Sequence, residues 1–166
     1  MRQIVITAVP VPKDQIFNKL EEHHICINRY AEVFFSHPRF CADHSERVTV
    51  SIASLREIGF DNGATLADIF QRLPEVGLKA CCPETGLFLR LAWTDQPKSG
   101  NTILSGTHEV PDQAVTVLSE IVEQDDAFPK GLYLRNVDGV LWLRGYLCDP
   151  EYRFPSDAMF AFETIR

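Results

Sequence analysis

The sequence predicts an α+β domain: a mainly antiparallel sheet with helices packed on one side. Three observations point there. Leu66, Ile69, Phe70, Leu73 and Val76 recur at helical spacing. Val48, Val50 and Ile52 alternate with Thr49 and Ser51 as in a strand. Two apolar runs meet at Asp138-Gly139, a pair suited to a two-residue hairpin turn because both positions need positive φ. With 166 residues, 45% of them hydrophobic, the chain can bury one core and is too short for two ordinary domains. Residues 1–166 therefore read as a single domain, mostly helical over 1–45 and sheet-rich over 46–166.

Residues 3–9 are β-rich and stopped by Pro10 and Pro12, which suits a strand near a sheet edge. A helix opened by Asp14 follows, with Ile16, Phe17 and Leu20 on its stripe; Ile27, Tyr30, Ala31 and Phe34 continue the stripe beyond a break at 23–28, and Pro38 ends it. Residues 37–45 form a polar loop into the 48–52 strand. Ser54 and Glu57 have capping-box spacing, with Gly59 closing a single turn. Thr65 caps the central helix, and Asp68 puts its charge on the first turn. Pro74 lacks a backbone donor, so that helix ends or kinks near Leu73, with Gly77 closing the turn.

Residues 82–86 read as a turn, and the alternation of Leu87, Leu89, Leu91 and Trp93 with Phe88, Arg90, Ala92 and Thr94 predicts a strand. A loop over 95–101 leads to a strand over 102–110. Residues 111–124 fit a helix through Val115, Leu118, Ile121 and Val122, and a strand through Val115-Thr116-Val117; the helix is preferred. In the 132–147 hairpin the turn sets Arg135 opposite Trp142, Leu134 opposite Leu143 and Tyr133 opposite Arg144. Residues 159–164 make a last strand.

Three segments, GFDNGATLADIFQRL, GLKACCPETGLFLRLAWTDQP and GVLWLRGYLCDPEYRFPSDAMFAFE, resemble the pattern of a broad family of uncharacterised bacterial proteins. In that pattern a Gly-Ala-Thr helix leads to a Cys-Pro-Glu turn, a Leu-Arg-Leu strand and a C-terminal Trp-Leu hairpin. The likeness covers about two thirds of the chain from about Val48 on, and departs from the pattern between Lys98 and Phe128, where the family has a shorter strand-and-turn segment. It implies no catalytic residues.

A formal net charge of -7 argues against a protein that must neutralise many phosphates, so nucleic acid is not an expected partner. No run approaches the ~18 apolar residues of a membrane span. Residues 1–12 lack the basic start and apolar centre of a signal peptide. The expectation is a cytoplasmic protein with no membrane partner. Five cysteines, Cys26, Cys41, Cys81, Cys82 and Cys148, are an odd number without disulfide-framework spacing and read as reduced thiols. Cys81 and Cys82 are adjacent rather than a C-x-x-C pair, and structural burial of both is expected.

The densest zinc-type donors are His23, His24, Cys26, His37, Cys41 and His44, of which His37, Cys41 and His44 lie within one short segment. Their spacing matches no known zinc module, so a polar loop is expected and a metal at His37, Cys41 and His44 is the alternative. No G-x-S-x-G elbow, H-E-x-x-H helix or phosphate-binding glycine loop is present. Cys82 with His108 as base is the nucleophilic alternative. Glu120, Glu123, Asp125 and Asp126 read as a solvated run rather than an acid/base pair. No cofactor is expected.

Tyr133, Arg135, Trp142, Arg144 and Tyr146 share one face of the hairpin, with Phe88 and Arg90 continuing it, a combination of guanidinium and rings found at interfaces and ligand sites. Its plainer reading is cross-strand pairs that only stabilise the hairpin. The expected function is a non-enzymatic binding or regulatory module for a protein or small anionic partner. The alternative is a small hydrolase or redox enzyme using Cys82 or a metal at His37, Cys41 and His44.

Overall fold

The computed structural model describes residues 1–99 and 113–166. Within them the chain runs β1 (Arg2–Ala8), α1 (Ile16–Glu22), β2 (Ile25–Ile27), α2 (Arg29–Ser36), β3 (Glu46–Ser54), α3 (Leu66–Arg72), β4 (Leu78–Lys79) and α4 (Thr85–Ala92). It continues with β5 (Val115–Val117), β6 (Gly131–Val137), β7 (Val140–Tyr146) and β8 (Met159–Thr164). The strand expected over 102–110 lies outside the described residues.

The strands form one sheet in the order β1-β3-β8-β5-β6-β7-β2, with β4 added beside β8. The β1–β3, β3–β8, β4–β8, β5–β6 and β6–β7 pairs are antiparallel, while β5–β8 and β2–β7 are parallel. The sheet is thus mixed rather than mainly antiparallel, and it curls as a half-barrel.

Local signals act as the sequence predicts at the central helix. Thr65 accepts from the Asp68 amide at 3.2 Å and Asp68 accepts from the Thr65 amide at 3.0 Å, a complete capping box. The helix ends at Arg72, Pro74 sits in a 3-10 turn, and Gly77 closes it at φ 72°. Ser54 and Glu57 make the same reciprocal pair over the following 3-10 turn, which Gly59 ends at φ 101°.

Two expected elements are corrected. Residues 87–93 do not form a strand: Thr85–Ala92 is the helix α4, buried from Thr85 through Arg90. Alternation fails there because Phe88 and Arg90 are as buried as Leu87 and Leu89, so over 87–90 no residue pair separates an inside from an outside. Leu and Arg are also good helix formers. Conversely, the helix preferred over 111–124 gives way to the strand β5, whose β-branched Val115-Thr116-Val117 is buried on both faces.

The helices do not share one side of the sheet. Ile16 and Leu20 of α1, Ala31, Phe34 and Phe35 of α2, and Leu87, Phe88 and Leu89 of α4 join Val50, Ile52, Val115, Leu134 and Leu143 in a first core. Ile69 of α3 joins Ala53, Leu118, Phe160 and Phe162 in a second. In β8, Ala161 belongs to the first core, while Phe160 and Phe162 belong to the second. That parity puts α3 on the opposite face from α1, α2 and α4.

Candidate functional site: the hairpin face

The β6–β7 hairpin has the register its turn dictates, with Tyr133 opposite Arg144, Leu134 opposite Leu143 and Arg135 opposite Trp142. Asp138 and Gly139 take φ 52° and 93°, and the Asn136 side chain accepts from the Gly139 amide at 2.9 Å. Leu132, Leu134 and Leu143 fall in the first core beneath α4. A Cβ on Gly86 would lie 3.0 Å from the Leu132 side chain, which shows how closely that helix sits.

On the other face, Tyr133, Trp142 and Arg144 are half-buried. The Arg144 guanidinium carbon stands 5.0 Å from the centre of the Trp142 ring and 5.9 Å from that of Tyr133. Its Nε is buried without a hydrogen-bond partner, and no carboxylate among the described residues pairs with it. Burial raises the Tyr133 phenol above its ordinary pKa, an effect that Arg144 and Arg135 oppose. Arg135 is only 5% exposed, so the guanidinium that presents this face is Arg144.

Three residues assigned to this face by the sequence do not present it: Phe88 and Arg90 lie elsewhere, and Tyr146 shares the parity of Trp142 and Arg144 but is packed inward. Arg90, with Phe88, lies in α4 across the sheet. It is fully buried and donates to Gln96 Oε1 at 2.6 Å, to the Arg135 and Trp142 carbonyls at 3.4 Å each, and to the Trp93 carbonyl. Burial alone lowers its pKa to about 10. Gln96 extends this network by donating to the Gln113 and Leu134 carbonyls, both at 3.1 Å. Arg90 is a strut between α4 and the hairpin. Tyr146 packs against the second core, its hydroxyl buried without a partner, and burial pushes its phenol far up.

The chemical alternatives are not assembled. His37 Nε2 lies 2.8 Å from Glu123 Oε1, and its Nδ1 accepts from the Arg39 amide at 3.0 Å. His44 faces Glu46 and Glu84 instead, at 3.4 and 3.5 Å. Cys41 is exposed. No three His, Cys, Asp or Glu side chains among the described residues converge to hold a metal ion. Burial, then the charges of Glu84, Glu46, Glu120 and Glu163, push the Cys82 thiol up to about 11, the reverse of what a nucleophile needs. Its suggested base, His108, lies outside the described residues. Of the acidic run, Glu123 pairs with His37, Glu120 with Arg39 at 3.2 Å, and Asp125 caps the Ala127 amide at 2.9 Å. Of the remaining donors, Cys26 pairs with Trp142 in the sheet and His24 holds φ 55° in the preceding turn. All five cysteines are free thiols.

No family model, curated protein or solved structure matches this chain. The resemblance to a bacterial family rests on the three quoted segments, and its Leu-Arg-Leu stretch is helical here. Among the described residues no helix is long and apolar enough to cross a membrane.

Sequence reasoning missed Gln96 and Asn136, which bind the loop after α4 to the hairpin: Asn136 donates to the Gln96 carbonyl at 2.8 Å and accepts through its own carbonyl from the Ser99 amide at 2.8 Å. Neither carries a sequence signal, because amides become informative only when burial forces every donor to find a partner.

Proposed function

We propose that the protein is a non-enzymatic binding module that receives a carboxylate or phosphate group of a protein or small-molecule partner on Arg144. One observation carries this reading: a half-buried guanidinium lies against Trp142 and Tyr133 with its Nε unpartnered and no described carboxylate beside it. Rings that hold the cation in place spare a ligand part of the cost of ordering it, and a guanidinium can grip two oxygens of one anion. The raised Cys82 thiol and the dispersed His37, Cys41 and His44 favour binding over catalysis.

Trp93 and Trp142 are the only tryptophans, so indole N–H signals give a direct readout. Titration with inorganic phosphate, or with a short acidic peptide, should shift the Trp142 indole signal and leave Trp93 in place. Arg144→Ala should keep the fold and lose the shift, and Arg144→Lys should retain a weaker one. An unmoved Trp142 signal with both probes, or undiminished binding by folded Arg144→Ala, would refute the reading.

A further inference from the structure

A pocket of about 240 Å³ opens between α3 and the segments on either side of the hairpin. Leu66, Ala67 and Phe70 of α3, with Ile121 and Pro150, supply apolar wall. Lys130, Asp126, Asp149 and the Cys148 thiol also line it. Its size falls below the roughly 300–1,000 Å³ of sites for drug-sized molecules, which limits an occupant to a small metabolite.

Charge narrows the occupant further. Lys130 is 5% exposed, and its ammonium donates to the Glu123 and Asp125 carbonyls at 2.8 Å each. An ammonium has three donors, so one remains, and no described carboxylate pairs with it. Asp126 is exposed and in no ion pair among the described residues. Asp149 accepts through one oxygen from the Glu151 and Tyr152 amides, both at 2.8 Å, and also lines the pocket. A simple anion would answer Lys130 and meet repulsion from both aspartates. A simple amine would do the reverse. An uncharged apolar molecule would leave the buried ammonium with its unused donor. A ligand with a carboxylate and an ammonium on one carbon, and an apolar side chain, answers all three surfaces.

We infer that this pocket binds a free apolar α-amino acid, with its carboxylate on Lys130, its ammonium toward Asp126 and Asp149, and its side chain against Leu66, Phe70 and Ile121. The site is separate from the Arg144 face and does not depend on it. Calorimetry and thermal shift with L-leucine and L-phenylalanine test it against isovalerate and 3-methylbutylamine, which each carry one of the two charges. The amino acids should raise Tm and protect Cys148, which lines the pocket, from alkylation; the single-charge analogues should do neither. Ala67 is exposed on the pocket wall, so Ala67→Phe should fill the space without disturbing the core and abolish binding. Asp126→Asn should weaken binding about tenfold or more. Arg144→Ala should leave it unchanged, so that failure here and failure of the anion reading can be told apart. Absence of binding by both amino acids, equal binding of the analogues, or undiminished binding by Ala67→Phe would overturn the assignment.

Discussion

At the scale of single residues, the contrast between Arg144 and Arg90 shows what an arginine in a sequence does and does not reveal. Strand parity and a two-residue turn were enough to place Arg144 beside Trp142 and Tyr133. Nothing comparable existed for Arg90, whose oxygen partners come from positions 93, 96, 135 and 142 and meet only when the chain has folded. Arginine is almost never fully buried unless its donors are served, and here four oxygens serve the two terminal nitrogens while Nε stays buried without a partner. Arg90→Met should therefore lower stability in urea unfolding by about 3 kcal/mol or more, because hydrogen bonds to charged groups are worth about 1.5–3 kcal/mol each. A loss within about 0.5 kcal/mol, the range of ordinary surface changes, would show the network to be incidental. Cys82 gives a second residue-level expectation. A thiol raised to about 11 remains protonated at neutral pH. Alkylation of Cys82 should trail that of exposed Cys41 at pH 7.5 and climb about tenfold per pH unit toward its pKa. If Cys82 labels first at neutral pH, the burial argument fails.

At the scale of elements, legibility followed the reach of the signal. Caps, proline stops and the Asp-Gly turn act over a few residues and read correctly, as did β3, β8, the edge strand β1 and the hairpin register. Periodicity failed where burial erased the difference between faces, in α4 and β5. Very short strands such as β2 and β4 gave too few residues for any period, and their pairing comes from partners more than 80 residues away. In α3 the expected stripe is unequal: Ile69 is 0% exposed and Leu73 2%, whereas Leu66 and Phe70 are partly buried beside the pocket. Ile69→Ala should cost about 2–5 kcal/mol, and Phe70→Ala less than the ~3–5 kcal/mol of a fully buried phenylalanine. The reverse order in urea titrations would mean that the helix is rotated from this placement. The capping box adds a pH dependence. The Thr65 amide, then its hydroxyl, hold the Asp68 carboxyl below its ordinary value. A carboxylate lowered by folding stabilises above its unfolded pKa of about 3.9 and loses that contribution as pH falls through the lowered value. Asp68→Asn should flatten the acid limb of the stability curve in that window, and an unchanged limb would discount the cap.

At the scale of the whole molecule, β8 joins what would otherwise be two pieces. It pairs with β3 on one side and with β5 and β4 on the other, and it sends Ala161 into one core and Phe160 and Phe162 into the other. Neither core can be lost without disturbing the strand they share. Urea unfolding followed by tryptophan fluorescence and by far-UV circular dichroism should give coincident transitions, and Phe160→Ala should shift both together. Separated midpoints would show that the two faces melt independently. This arrangement also bears on how the chain is made. Translation delivers β1 and β3, and later β5, β6 and β7, before the strand that must lie between them, so the growing polypeptide carries two unjoined sheet fragments with bare edges as it leaves the ribosome. Such edges attract other chains. A nascent chain paused before Met159 should therefore be protease-sensitive and held by chaperones, and should become resistant only once β8 has emerged.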